Sequence, residues 1–485
     1  MSSNEKISPS GTFAFDYDLL GRQTLLRYPN GVEAGYGYDA AGQSTAVYHA
    51  LGSYVVAYAT YVYDNAGNRL SKYDLSGAHI YVYDVLHRLT FAVNLGPDGP
   101  VGAVETFEYD KAGNRIADSS GTVFDYDYAN RIRWDNFYTY GHDANGNRIS
   151  ATGKLTGQTT SYVYDSENRR VEAHLPDGAV WTYKYDAKGR RIEKSLSGDT
   201  SKTLRYVYDN DDVLAILDGS NNLLALFTHG PGLGSPLAMR QGTTDYYYHA
   251  DALGSVVALT NASGSVVESY EYTAYGKPTV RDGSGTLLGM SGVGNSFMYG
   301  GGTEHDWETG QNHMGHREQD PDAGTFMQED PIGFAGGDLN LFAYSANNPL
   351  KYVDPLGLDY WNFNFVRDFG IPITVGVISE KGNYYPYAGF ALGTPGASIT
   401  HSNQNASLGW NYSAQVAPPL LGSPITGAYA RGFDFGNFQP VNEFGYATPG
   451  GAISIYKVFS LDQLFQFLMK LPSYFPQPAT RQGCP

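Results

Sequence analysis

The sequence predicts a mainly β chain: a long sheet of repeated β-hairpins that curls into a partial shell, then a small, mostly β C-terminal domain closed by one helix. Three observations carry that expectation. Glycine (59) and tyrosine (41) are abundant among 485 residues while only 17% are charged. Glycine at this level accompanies disorder only where aromatics are scarce; together with Tyr, Val and Thr it marks short strands joined by tight turns. A Tyr-Asp motif recurs at a spacing of roughly 20 residues, a repeat-protein period. Both the motif and the charge density stop after Leu358.

Taken in order, the repeat first reads Tyr17-Asp18-Leu19-Leu20-Gly21-Arg22 and returns as Tyr38-Asp39-Ala40-Ala41-Gly42-Gln43 and Tyr63-Asp64-Asn65-Ala66-Gly67-Asn68-Arg69. Further copies begin at Tyr83, Tyr109, His142, Tyr164 and Tyr185. Each unit reads as a hairpin. A strand such as Tyr61-Val62-Tyr63 alternates aromatic with β-branched residues, Asp-x-x-Gly makes the turn, and Arg-Leu or Arg-Ile starts the return strand. Tyrosines at alternate positions fall on one face, with hydroxyls that meet Arg or backbone partners at its edge. Such units bury their faces only against neighbours, so these Tyr, Asp and Arg residues are architecture.

Composition excludes several classes. A formal charge of −17 argues against nucleic-acid binding by the shell. The single cysteine, Cys484, excludes an intramolecular disulfide framework and a cysteine-rich metal site, and no cofactor motif is present. The polar start, Met1-Ser2-Ser3-Asn4-Glu5-Lys6, lacks the apolar core of a secretory signal, so action outside the cell requires a specialised export route.

The Tyr-Asp pattern resembles the YD repeats of RHS-repeat proteins, a group that includes bacterial polymorphic toxins, the cocoon subunits of insecticidal toxin complexes, and teneurins. The resemblance implies a β-sheet that spirals into a hollow shell. After Tyr208-Asp209 the repeat loosens. Tyr246-Tyr247-Tyr248-His249-Ala250-Asp251-Ala252-Leu253-Gly254-Ser255 is then similar to the element that opens the RHS-associated core domain. The expected domains are therefore YD repeats over 1–240, the core domain over 241–358, and a variable toxin domain over 359–485. Within the core, Gly315 stands where an arginine is common in the family, and Gln319 where a tyrosine is usual. His313 and His316 have a metal-ligand spacing beside His305 and Asp306, but they read as surface histidines rather than a metal site.

Two Asp-Pro-x-Gly tetrapeptides lie close together, at Asp330 to Gly333 and Asp354 to Gly357. Local chemistry reads them as tight turns whose Asp side chains bond their own backbone. The resemblance implies more: an aspartyl-type autoprotease with Asp330 and Asp354 as its carboxylates, Arg317 beside them, and the Leu358–Asp359 bond as the cleavage site. Two carboxylates sharing one proton divide the roles of base and acid.

From Asp359 onward there are about a dozen charged residues, balanced in sign, so the negative charge belongs to the shell. Leu408, Trp410, Tyr412, Ala414 and Val416 alternate with small or polar residues as one strand. Residues 427–438 and 450–458 read as further strands. Ser460 caps a terminal helix striped by Leu461, Leu464, Phe465 and Leu468. Candidate residues here are His401, Arg431, Asp434 and Glu443.

The expected function is that of a polymorphic-toxin fragment or orphan cassette for interbacterial competition. Its shell, short for the family, holds its own C-terminal domain as cargo and cuts it free. The resemblance implies a cognate immunity protein and a secretion-system spike or adaptor, with type VI secretion as the expected route. Two alternatives stand beside it. Sparse charge and alternating strands in the C-terminal domain suit a membrane-active pore former, and exposed tyrosines suit a cell-surface adhesion or carbohydrate-binding protein.

Overall fold

A computed structural model describes residues 2–96, 99–100, 104–358, 373–380, 383–390, 430–434 and 439–443. Its N-terminal part is an antiparallel meander in which nearly every strand pairs with the next; Gly99–Pro100 pairs only with Leu89–Gly96, which pairs on to Glu105–Tyr109. Strands from Ser2–Ser8 to Arg115–Asp118 form a 12-stranded sheet, and those from Asp125–Tyr126 to Leu287–Leu288 a 17-stranded one. The weakening of the Tyr-Asp motif after Tyr208 leaves no break in the second sheet, and the strand Pro236–Gln241 lies well inside it.

Each Tyr-Asp motif performs three local tasks. At Asp64, Oδ1 accepts the backbone N–H groups of Ala66 (2.9 Å) and Asn68 (2.8 Å), and Oδ2 accepts from Asn68 Nδ2 (2.8 Å). Where Arg replaces Asn, its Nε donates to the same oxygen, as Arg22 does to Asp18 and Arg88 to Asp84. The third residue after the Asp is left-handed (Gly67, φ 78°), which explains why Gly, Asn or His occupies it. Preceding tyrosines sit at register shifts such as Val62/Tyr63 and Val82/Tyr83. These bulges bend the strand and increase its twist, curling the sheet. Their hydroxyls reach back across the repeat: Tyr63 donates to Ser44 O (2.8 Å), Tyr83 to Arg69 O (2.9 Å) and Tyr185 to Arg170 O (2.8 Å).

Where an arginine opens the return strand, it points inward. Arg69, Arg170 and Arg191 are completely buried, with Arg69 over the Tyr61 ring (4.3 Å) and Arg170 and Arg191 over Tyr183 (4.7 and 4.6 Å). Buried guanidinium groups need anions, and for Arg148, Arg170 and Arg191 the next sheet supplies them. That sheet has five short strands: Phe297–Met298, Thr303–Asp306, Gln311–Met314, Arg317–Asp320 and Thr325–Phe326. Asp306 accepts from Arg170 (2.7 Å), from both terminal nitrogens of Arg191 (2.9 and 3.1 Å) and from Lys194 (2.8 Å). Glu318 pairs with Arg191 (3.1 Å) and Arg170 (3.2 Å), and Asp320 with Arg148 (2.6 Å). The first sheet also packs on the second: Phe13, Leu26, Tyr28 and Val32 share a core with Leu237, Tyr247 and Ala258.

The expected surface position of the histidines is corrected here. His305 and His313 are buried, because their strands are covered on both faces. His305 Nδ1 donates to Asn312 Oδ1 (2.7 Å) and His313 Nδ1 lies 3.0 Å from Glu318 Oε1, while His316 is half-buried. Among the described residues, no three His, Cys, Asp or Glu side chains are grouped to hold a metal ion.

Beyond Leu358, Ile373–Glu380 and Asn383–Phe390 form one two-stranded sheet, and Ala430–Asp434 and Gln439–Glu443 another. The expected strands at 408–416 and 450–458 and the terminal helix lie outside the described residues. No helix among the described residues is long and apolar enough to cross a membrane, which says nothing of strands.

Candidate active site

Alternation along Arg317–Asp320 sets the site. Residues two apart share a face of a strand, so clamping Glu318 and Asp320 by buried arginines turns Arg317 the other way. Arg317 lies over Phe326, its guanidinium carbon 3.6 Å from the ring centre. Nε donates to Gly357 O (2.6 Å) and Nη1 to Leu341 O (3.1 Å). The remaining nitrogen, Nη2, stands 3.0 Å from Asp330 Oδ2 and 3.0 Å from Asp354 Oδ2.

Both aspartates head the tight turns read from the sequence. Asp330 O accepts Gly333 N–H (2.9 Å) and its Oδ1 accepts Ile332 N–H (2.9 Å). Asp354 O accepts Gly357 N–H (3.3 Å) and its Oδ1 accepts the N–H of Leu358 (3.1 Å). Turn and site thus coexist in the same residues: one carboxylate oxygen holds the loop and the other meets the guanidinium. The sequence suggested two carboxylates sharing a proton. Arg317 Nη2 stands between the two carboxylates and offsets their mutual repulsion.

Three glycines bring the chain close. A methyl group at Gly336 would lie 2.6 Å from Asp330 Oδ2 and 2.9 Å from the carbonyl oxygen of Leu358, so those two oxygens flank one point. At Gly357 (φ 65°) a methyl would fall 2.4 Å from Met314 O, and at Gly315 (φ 56°) 2.6 Å from Leu356 O. The departure from arginine at position 315 is therefore matched by the Leu356 backbone occupying that space. The other departure, Gln319, is buried and fully used. It accepts from Asn312 Nδ2 (2.7 Å) and donates to Tyr275 O (2.9 Å).

Asp330, Asp354 and Arg317 line a cavity of about 10 Å³ together with Gly336, Asp338 and Ser345. That is room for about one water molecule. Asp338 is the residue that motif reading missed. It follows Gly336-Gly337 in a stretch without Pro and carries no turn tetrapeptide, although Asp-x-Asn signals a local turn: Asp338 Oδ1 accepts Asn340 N–H (2.9 Å). Burial pushes its carboxyl above the usual carboxylate range.

The loop is fastened to the hairpin turns by asparagines. Asn340 Nδ2 donates to Asn114 Oδ1 (2.8 Å), Asn347 Nδ2 to Gly113 O (2.8 Å), and Asn348 Nδ2 to Asn68 Oδ1 (2.9 Å). This accounts for the Asn-Asn-Pro run between the two aspartates. Of the candidates in the C-terminal domain, Arg431, Asp434 and Glu443 lie on one hairpin, whose register pairs Ala430 with Glu443 and Asp434 with Gln439. His401 and Asp359 fall outside the described residues.

A meander of Tyr-Asp hairpins, clamped onto a small sheet that ends in paired aspartates, defines a YD-repeat shell. The chain belongs to the teneurin YD-shell family, whose signature matches residues 78–350. It is 31% identical over 274 residues to the tRNA nuclease WapA of Bacillus subtilis, covering 54% of this chain and 11% of that protein. Similarity extends to the double-stranded DNA deaminase toxin A of Burkholderia cenocepacia, at 27% over 283 residues (52% of this chain, 19% of the relative). The probable deoxyribonuclease RhsA of Dickeya dadantii is 25% identical over 334 residues (67% and 20%). The chain spans about one tenth to one fifth of the length of these curated relatives. Among solved structures, the Tc holotoxin pore of Photorhabdus luminescens superposes with a TM-score of 0.58 at 17% identity, over 76% of this chain and 21% of that one. That likeness concerns the fold.

Proposed function

We propose that this chain is the self-cleaving shell of a polymorphic toxin, with YD repeats over 1–240, a protease-bearing core over 241–358 and a toxin domain over 359–485. The observation that carries the reading is the convergence on Leu358. Its N–H is held by Asp354 Oδ1, and its carbonyl oxygen and Asp330 Oδ2 flank the same point at Gly336. Asp330 is the base that draws a proton from a water set against the Leu358 carbonyl, Asp354 fixes the residue whose bond is cut, and Arg317 holds both carboxylates in place. Related sequences named as toxins and nucleases support a poisonous cargo, used against competing bacteria and matched by an immunity protein. A spike or adaptor of a secretion system, of the type VI kind, delivers it.

The reading is tested on a denaturing gel, which separates shell from cargo whether or not the two stay bound. Wild-type chain separates into two bands, and Asp330→Asn and Asp354→Asn each leave one. Cleavage in both variants at the wild-type rate sinks the protease. Residues 359–485 expressed alone arrest bacterial growth; harmless expression of a folded fragment in cytoplasm and periplasm removes the toxin reading and leaves the protease.

A further inference from the structure

We infer that Asp338 is the general acid of this cleavage, donating its proton to the nitrogen that departs when the Leu358–Asp359 bond breaks; the inference rests on the reaction proposed above. Cutting a peptide bond needs a base for the attacking water and an acid for the leaving amine. Both motif aspartates are tied through Oδ2 to a single guanidinium nitrogen, each at 3.0 Å. That arrangement suits two carboxylates kept charged, and a charged carboxylate has no proton to give.

The third carboxyl of the cavity has the opposite surroundings. Asp338 lines the same small space as Asp330, Asp354 and Arg317. Among the described residues it has no ion-pair partner, and its carboxyl meets only backbone N–H groups, those of Asn340 and Leu339. It lies two residues from Gly336, whose position is flanked by Asp330 Oδ2 and the Leu358 carbonyl oxygen. Burial without a cation favours the neutral acid, in agreement with the raised pKa of this carboxyl.

The step balances as follows. Water oxygen bonds to the Leu358 carbonyl carbon and one water proton passes to Asp330. The carbon–nitrogen bond then breaks as Asp338 delivers its proton to nitrogen, leaving a carboxylic acid on Leu358 and an amine on Asp359. The proton on Asp330 returns through solvent to Asp338.

Cell-free synthesis of the full chain with a labelled pulse, then a chase between pH 5 and 9, gives the cleavage rate of wild type, Asp338→Asn and Asp338→Glu. The wild-type rate is expected to fall as pH rises and Asp338 loses its proton. Asp338→Asn is expected to cleave at least about 100-fold more slowly and to lose that fall, while Asp338→Glu recovers most of the rate. Cleavage of Asp338→Asn within threefold of wild type overturns the inference, and Asp330→Asn remaining uncleaved in the same run leaves the protease reading intact. Loss of cleavage in both Asp338 variants, with a lowered melting temperature of the shell, assigns Asp338 a structural role and likewise overturns it.

Discussion

The tight packing at Gly336 gives the sharpest perturbation of the site. Its φ lies outside the left-handed region, so Gly336→Ala asks nothing unusual of the backbone. The new methyl would stand 2.6 Å from Asp330 Oδ2 and 2.9 Å from Leu358 O. Nonbonded atoms settle at roughly 3.5 Å, so one or both groups must retreat by about 0.6 to 0.9 Å. Overpacking of this size costs about 1–3 kcal/mol of stability, whereas misplacing reacting groups by about 1 Å costs on the order of 100-fold in rate. The shell therefore stays folded while cleavage slows by about two orders of magnitude, read from band intensities in the pulse-chase described above. Gly333→Ala is the control. Gly333 has a φ of 59° but no heavy atom within 4 Å of the added methyl, so it loses about 1 kcal/mol and keeps its cleavage rate. Cleavage of Gly336→Ala at the wild-type rate would show that Asp330 and the Leu358 carbonyl do not act together.

Three further outcomes follow from the same geometry. Asp306→Asn strips the central anion from Arg170, Arg191 and Lys194, a buried set; thermal unfolding should show a loss of roughly 3–5 kcal/mol. Glu105, pushed up to about 7 by burial, is neutral when folded at acid pH but ionises near its ordinary pKa when unfolded, so shell stability falls as pH rises from about 4 to about 7. The change is about 3 kcal/mol, and Glu105→Gln abolishes it in a urea titration at pH 4 and pH 8. The cut fragment, nearly neutral against an acidic shell, should co-purify through about 1 M salt and leave in mild denaturant, because apolar contact resists salt and exposed ion pairs do not. Elution by salt alone would assign the hold to charge.

The repeat was legible because one residue type does one job at each position. Asp64 and its counterparts cap turns, Gly67 takes the left-handed position, and Tyr63 reaches back one repeat. What the sequence concealed were contacts between distant segments. Nothing near His313 announces that Arg170 and Arg191 will enclose its neighbour Glu318. A chain rich in exposed turns made surface histidines the natural reading. Similarly, Asp330 and Asp354 stood out through their prolines, whereas Asp338 has only an Asp-x-Asn turn to mark it and enters the site because Asn340 and Asn348 fasten the loop to turns more than two hundred residues earlier. Gly315 looked like a lost arginine until Leu356 was seen to fill its space.

The claim that two aspartates direct water onto the Leu358 carbonyl is tested most directly by cleavage in ¹⁸O-labelled water. Synthesis of the full 52.8 kDa chain in that solvent, followed by protease digestion and mass spectrometry, identifies the last peptide of the large fragment. The account predicts a peptide that ends at Leu358 and carries one ¹⁸O in its new carboxylate, with none formed from Asp330→Asn or Asp354→Asn. A terminus elsewhere, such as Asp354, or a Leu358 terminus without the label, would contradict it.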